Sequence, residues 1–535
     1  MIMEHERPWM EQYPETTILS FHIPEVSLYS LLEDTTRKYS DKTAIIYDED
    51  SLTYKQLKDQ VDRLAAAWRN LGVKKGDRLG LMVSNHPFYV ISYYAALKLG
   101  MIVVQINPLY TPRELLEILH DAQMNYLVTE PQSLEKISQL KNSYAFKGLF
   151  VTELSSKKDG IYSIHELINC FNPLVDSCLI NAQQDIAVIQ YTGGTTGKKK
   201  GAMLTHYNLV ANVLQSKALY GANMFFGEET ILTATPLYHV YGMTSGMNLA
   251  IYIGAANLLV NKFEIEKVLK LIQTHRPTFF PGVPKMYNAF VNYPEIDRYD
   301  LTCFKTCSSG SAPLPIEVLK KFEGLTGASI REGYGLSETS PSTHRNPPDG
   351  LMKVGSIGIP LPKTDCRIVD DHGENLPEKT VGELLIKGPQ VMLGYWNKPE
   401  ETNLSLRDGW LYTGDLATMD EDGYFYIVGR KKEMIIVGGF NVYPQEVEGV
   451  LYEHPDVLEA AVVGIPDREA GELVKAFIVP KEGKGININE LREHCYQLLT
   501  RYKVPKQFEI IEALPRNTVG KVLKRILLDE SKKMV

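Results

Sequence analysis

The chain predicts an α/β protein with a large N-terminal domain of helix-covered β-sheets, a small β-rich subdomain, and a small α+β C-terminal domain. Three observations carry this. At 535 residues the chain exceeds one ordinary core, so at least two domains are expected. Helical spacing alternates with short apolar runs through the first half. From about Gly355 short strands alternate with turns, and the texture changes again after Arg430.

Taken in order, Leu57, Val61, Leu64, Ala65, Trp68 and Leu71 recur at helical spacing, with Gly72 as a stop. Leu79 to Asn85 reads as a buried strand, Pro87 to Leu99 as a helix closed by Gly100, and Met101 to Ile106 as the next strand. This αβαβ rhythm implies a parallel sheet. The apolar run Ile186 to Ile189 predicts a strand ending in a loop, and the rhythm returns through Thr205 to Leu214 and Phe263 to Phe280. The segments SIGIPLP, CRIVDDHGE and GELLIKG give the β-rich part, ending near Gly429. Beyond it, Tyr443 to Leu451 predicts a helix, Leu458 to Ile465 and Lys475 to Val479 strands, and Glu490 to Leu499 a helix with Asn489 as N-cap. The boundary near Gly429 to Lys432 is short and charged, as a hinge would be. The expected division is therefore 1–429, a hinge at 430–432, and 433–535.

Composition excludes several classes. Hydrophobic residues at 44% and charged residues at 23% are those of a soluble globular protein. A net charge of −8 leaves no footprint for nucleic acid. Six cysteines without a CxxC pair argue against a disulfide framework or a zinc site, and suit a cytoplasmic location. The acidic N-terminus MIMEHERPWMEQYPE has no apolar core and is not read as a signal peptide. Val90 to Ile106 is broken by Lys98, and Leu249 to Val260 is short and contains Asn257, so both are expected in a core. Peripheral membrane contact and homo-oligomerisation stay open.

The most informative segment is YTGGTTGKKKG, Tyr191 to Gly201. Its glycines let backbone N–H groups turn toward one point, its threonines add hydroxyl donors, and Lys198 to Lys200 add positive charge. These are the parts that hold a triphosphate. The segment is not a Walker P-loop, because Lys199 follows Lys198 where Ser or Thr is required. A solvated polar loop is the bland alternative.

Further segments follow in order: PLYHVYGM (Pro236 to Met243), SSGSAPLP (Ser308 to Pro315), REGYGLSETSP (Arg331 to Pro341), DGWLYTGDLA (Asp408 to Ala417), GYFYIVGRKKEMIIVGGFNVYPQEVE (Gly423 to Glu448) and PRNTVGKVLKR (Pro515 to Arg525). With the Tyr191 loop, the chain resembles the adenylate-forming superfamily of acyl-CoA synthetases, adenylation domains and luciferases. It is most similar to fatty-acyl-CoA synthetases, the long-chain fatty acid–CoA ligases. One departure is that the commonest phosphate loop has Ser and Pro where this chain has Gly193 and Lys199.

The resemblance implies two half-reactions. A carboxylate attacks the α-phosphate of ATP, giving acyl-AMP and pyrophosphate; CoA thiol then attacks the acyl carbon and AMP leaves. Thr192, Gly193, Gly194, Thr195, Thr196, Gly197 and Lys200 would cradle phosphates, with Thr195 and Glu338 facing Mg²⁺. Which of Lys198, Lys199 and Lys200 touches phosphate stays open. Tyr334, within Glu332, Gly333 and Gly335, would stack on adenine, with Gly310, Ser311 and Ala312 on its other side. Thr339 would meet the α-phosphate; Asp415, Arg430 and Ile427 would take the ribose side. His239 would sit by the substrate carboxylate, with Tyr241, Gly242 and Gly282 along the acyl entrance; the small residues Gly242, Ser245, Gly246 and Gly282 would leave a long tunnel. Lys521 would be the main adenylation catalyst, Lys432 the hinge of a mobile C-terminal domain, and Gly438, Gly439 and Phe440 the CoA-facing loop. Two alternatives share the scaffold: an enzyme loading a carrier protein, and a non-catalytic fatty-acid or acyl-AMP sensor. A sensor would not need Lys521 together with Glu338, Asp415 and Arg430.

Overall fold

The helix Tyr54–Asn70 begins with a capping box, in which the Thr53 hydroxyl accepts the Gln56 N–H while the Gln56 side chain accepts the Thr53 N–H. Leu57, Val61, Leu64, Ala65 and Trp68 are fully buried along one face, and Gly72, at φ 85°, takes the left-handed turn that ends it. The next helix, Pro87–Lys98, is buried on nearly every side, as an all-round apolar helix must be. Lys98 is its exception and is itself 1% exposed. Its Nζ donates to Asp62 Oδ1 at 2.8 Å, Tyr29 Oη at 3.1 Å and the Leu174 carbonyl at 2.7 Å. The charge that interrupts the apolar run is therefore paired in the core.

This computed structural model describes residues 7–13, 21–154, 160–192, 199–221, 224–347, 350–517 and 520–533. The chain separates into two compact units, Met1–Asp365 with Ile386–Leu411, and Cys366–Leu385 with Tyr412–Val535. The chain passes between the units at 365/366, 385/386 and 411/412.

The first unit holds two large sheets. One has eight strands among the described residues. Its parallel run is Ile186–Thr192, Ile102–Gln105, Arg78–Met82, Tyr126–Thr129, Gly148–Val151 and Ile161–Ser163. Lys200–Thr205 and Gly394–Tyr395 add antiparallel strands at the Ile186–Thr192 side. The other sheet has nine strands, and its parallel centre runs Ala256–Leu259, Thr230–Thr233, Phe279–Gly282, Thr306–Ser309 and Ser329–Gly335. Arg78–Met82, Ile102–Gln105 and Ile186–Thr192 are the strands expected from the αβαβ rhythm, and they are largely buried.

In the second unit, Asp415 to Met419 pair antiparallel with Phe425–Arg430. Ile435–Val437, Phe440–Val442, Gly471–Pro480, Val457–Asp467 and Gln507–Ile510 form a further sheet, packed through Val462, Val474 and Ala476 against Val447, Leu451 and Leu491 of the helices Pro444–Tyr452 and Ile488–Leu498. One local expectation is corrected here. The latter helix is capped by Asn487, whose side chain accepts the Asn489 N–H, so Asn489 lies inside the first turn. Two asparagines two residues apart are equivalent by composition, and only the backbone angle separates them. All six cysteines are free. No helix among the described residues is long and apolar enough to cross a membrane.

Candidate active site

The phosphate-loop sequence joins two hydrogen-bonded strands. Thr192 faces Lys200 and Tyr191 faces Gly201 across the antiparallel pair. Gly193, Gly194, Thr195, Thr196, Gly197 and Lys198 lie outside the described residues, so the expected cradle and the Thr195 metal contact carry no structural account. The flanks do. Tyr191 Oη donates to Asp121 Oδ2 at 2.5 Å, and the Trp396 indole donates to the Asp121 carbonyl at 3.1 Å. Lys199 turns to other partners, with Nζ 4.0 Å from the Tyr110 ring centroid and 3.9 Å from Glu114 Oε1. Lys200 instead has its Nζ 5.0 Å from the Tyr395 ring centroid.

Register brings the next group together. Gly282, Ser309 and Glu332 are neighbours across three parallel strands, at their carboxyl ends. Open α/β sheets bind ligands at such ends. A Cβ placed on Gly310 would lie 3.6 Å from the Tyr241 ring and 3.9 Å from the Gly333 carbonyl oxygen. The Tyr241 hydroxyl bonds Ser308 Oγ at 3.0 Å and lies 3.4 Å from the Gly282 carbonyl oxygen. Tyr241, Gly282, Gly310 and Gly333, drawn from four separate segments, therefore form one cluster. Tyr334 is half-buried, its ring 5.9 Å from that of His344. Ser311 follows with φ 72°. Glu332 accepts the Leu314 N–H at 3.1 Å, and burial raises its carboxyl to about 7.

His239 lies just ahead of a π-helix, Gly242–Asn248. Its Nδ1 accepts the Tyr241 N–H at 3.3 Å, which leaves the neutral ring's proton on Nε2. Burial lowers its pKa to about 4, so the ring is neutral at pH 7. A neutral Nε2–H is a hydrogen-bond donor suited to a carboxylate. A Cβ on Gly242 would lie 2.2 Å from the Pro236 carbonyl oxygen, on Gly246 2.7 Å from Thr233 Cγ2, and on Gly282 2.7 Å from the Phe280 ring. A side chain at any of these three positions would meet a neighbouring atom. Ser245 is likewise fully buried. A small residue reads alike in sequence whether a cavity or a neighbouring backbone lies beside it. The π-turn was also illegible, since nothing in residue spacing marks one wide turn within a helix.

Glu338 belongs to the short 3₁₀ turn Ser337–Thr339. Its Oε1 accepts the Tyr395 hydroxyl at 2.7 Å, and its carbonyl accepts the Met392 N–H at 2.8 Å. Sequence reasoning missed Tyr395, because 57 residues separate the partners and no local pattern links them. Thr339 is fully buried, and its hydroxyl bonds Leu336 and the Pro341 carbonyl. The hydroxyl assigned to α-phosphate is thus engaged within its own turn. Among the described residues no three His, Cys, Asp or Glu side chains group to hold a metal. A phosphate-bound Mg²⁺ takes only one or two protein carboxylates. Glu338, with one oxygen held by Tyr395, suits that requirement.

The second unit holds the remaining candidates. Asp415, 3% exposed, faces Arg430 across the strand pair, with Arg430 Nε 3.0 Å from Asp415 Oδ1. Ile427 faces Ala417 on the same pair. Lys521 is tied to Asn517: its N–H donates to Asn517 Oδ1 at 2.8 Å and its carbonyl accepts the Asn517 N–H at 2.9 Å, while Gly520 takes φ 83°. Burial, and next the positive charge of Arg430, lower the Lys521 ammonium to about 8. Asp415, Glu433 and Lys432 also act on that charge. Gly438 and Gly439 have φ 57° and 84° in the two-residue turn between Ile435–Val437 and Phe440–Val442. Both positive angles demand glycine in such a hairpin. Phe440 is 57% exposed and stacks on Tyr502 at 4.8 Å.

Comparison with known proteins supplies the frame for this constellation. The AMP-binding enzyme family matches residues 32–396, and its C-terminal domain family matches 446–521. The chain belongs to the AMP-binding enzyme family. It is 43% identical to a long-chain-fatty-acid–CoA ligase of Bacillus subtilis over 99% of each chain. Identity to the Salmonella typhimurium protein of the same name is 38%, over 98% of this chain and 99% of that one. Among solved structures, the anthranilate CoA ligase AuaEII in complex with anthranoyl-AMP superposes with a TM-score of 0.89 at 28% identity, covering 96% of this chain and 98% of that one. The resemblance drawn from the motifs is therefore borne out, as is the α/β fold with a large N-terminal and a smaller C-terminal domain.

Proposed function

We propose that this protein activates a medium- to long-chain fatty acid with ATP and transfers the acyl group to CoA. The observation that carries the reading is the near-full-length identity to long-chain-fatty-acid–CoA ligases, and the electrostatic influence of Arg430 and Asp415 on Lys521 agrees with it. Near-full-length similarity to long-chain-fatty-acid–CoA ligases supports the acid's class and CoA as acceptor. Free cysteines throughout suit a cytoplasmic location.

In the first step a carboxylate oxygen bonds to the α-phosphorus and the bond to pyrophosphate breaks. Neutral His239 donates Nε2–H to the carboxylate and orients it. Lys521 supplies positive charge as negative charge gathers on the α-phosphoryl oxygens. Thr192 to Gly197 and Lys200 hold the distal phosphates; Tyr334 and Gly310 to Ala312 hold adenine; Asp415 accepts the ribose hydroxyls. Thr195 and Glu338 are the residues that would hold Mg²⁺, which when bound neutralises phosphate charge. In the second step the CoA sulfur bonds to the acyl carbon, the carbon–oxygen bond to AMP breaks, and the thiol proton leaves to solvent. Gly438, Gly439 and Phe440 face the thiol arm, and residues 430–432 act as hinge between the two steps. The deciding experiment is CoA-dependent AMP release across acids from acetate to oleate, benzoates included. Preference for acetate or an aromatic acid would reject the substrate class. Transfer only to a holo-carrier protein would reject CoA as acceptor.

A further inference from the structure

Tyr395 has no part in the reaction described above, yet its side chain joins two groups that do. It lies on the two-residue strand Gly394–Tyr395, opposite Ala202 and two residues from the Lys200 register. Its hydroxyl donates to Glu338 Oε1 at 2.7 Å. Its ring sits 5.0 Å from Lys200 Nζ, within the range of a cation–π contact. Its backbone is fixed on both sides: the Tyr395 N–H donates to Thr402 Oγ1 at 2.8 Å, and the Trp396 N–H to the Gly201 carbonyl at 2.8 Å. The residue is 8% exposed. Burial, then the Glu338 charge, raise its phenol well above the ordinary tyrosine value, so the hydroxyl stays a donor.

We propose that Tyr395 is the positioning residue for the metal-facing carboxylate, holding one Glu338 oxygen so that the other is presented to Mg²⁺, while its ring supports Lys200 at the phosphates. This rests on the metal role given to Glu338 under the proposed function. An aromatic ring anchored in a strand loses little freedom on binding, whereas an unanchored glutamate must be ordered by the ion itself. Outer partners of metal-ligating carboxylates act in this way elsewhere.

The test uses the whole chain, ATP and Mg²⁺ without fatty acid, so that no turnover occurs. Calorimetric ATP affinity is measured in EDTA and in saturating Mg²⁺ for wild type, Tyr395→Phe, Glu338→Gln and the double variant. Tyr395→Phe keeps the ring and removes the hydroxyl. It is expected to bind ATP in EDTA within about twofold of wild type and to lose roughly 10- to 100-fold of the affinity gained with Mg²⁺, the usual effect of removing such a partner. Glu338→Gln should show the same loss, and the double variant should lose no more than Glu338→Gln alone. Tyr395→Leu, which removes the ring as well, should also weaken binding in EDTA through Lys200. A Mg²⁺ gain unchanged in Tyr395→Phe overturns the inference. So does a further loss in the double variant, or a loss in Tyr395→Phe that Glu338→Gln does not share. Equal EDTA affinities for the Phe and Leu variants overturn the part given to the ring. Formation of fatty-acyl-CoA by the wild type is read separately, so failure of the proposed function is told apart from failure of this inference.

Discussion

Lys521→Ala tests the mechanism at its centre. The Lys521 ammonium is lowered from 10.5 to about 8 by burial and by Arg430, so its surroundings disfavour the charge by about 3 kcal/mol. Negative charge developing on the α-phosphoryl oxygens offsets that cost, so the interaction strengthens toward the transition state. Removing a group of this kind typically costs about 3–4 kcal/mol, roughly a hundred- to thousandfold in adenylation rate. The assay is a pair of single-turnover measurements, one from fatty acid and ATP, one from preformed acyl-AMP and CoA. The first should fall by that factor and the second should stay near wild type. The pH dependence gives an independent check. A lysine with a lowered pKa is charged below that value and neutral above it, so wild-type adenylation should decline as pH rises through about 8. Lys521→Arg, slower but always charged, should lack this decline. Equal loss of both half-reactions in Lys521→Ala would make the residue structural or shared between steps. No loss in either would refute the reasoning altogether.

Glu338→Gln keeps the shape of the 337–339 turn and should raise the Mg²⁺ requirement for adenylation; an unchanged Mg²⁺ titration would remove Glu338 from that role. Lys432→Pro fixes φ in the short turn Lys431–Glu433 and should impair thioester formation more than acyl-AMP formation, which separate half-reaction rates would reveal. Glu332→Gln preserves an acceptor for the Leu314 N–H and should leave the melting temperature nearly unchanged, whereas Glu332→Ala should lower stability by about 1–3 kcal/mol in denaturant titration. Lys98→Met leaves Asp62 in the core with Lys58, 2.6 Å away, as its remaining ion-pair partner. Breaking a buried pair typically costs about 3–5 kcal/mol, and Lys58 should hold the measured loss toward the lower end.

The sequence by itself determined the alternation of elements and the inventory of chemistry. Helices such as Tyr54–Asn70 and strands such as Ile102–Gln105 follow from periodicity and caps, which are local. Segments such as YTGGTTGKKKG and PRNTVGK named their residues through a resemblance that spans the whole chain. Tertiary structure decided what those residues face. It turned Lys199 to Tyr110 and Glu114 but set Lys200 beside Tyr395. It gave Lys98 the carboxylate of Asp62 and set Gly242 against the Pro236 carbonyl and Gly246 against Thr233. It also put the Lys521 charge under the influence of Arg430 and Asp415, which lie 91 and 106 residues earlier in the sequence. The reason is physical: propensities and caps act within one or two turns of chain, whereas a charge finds its partner, and a glycine its neighbour, only when distant strands meet in register.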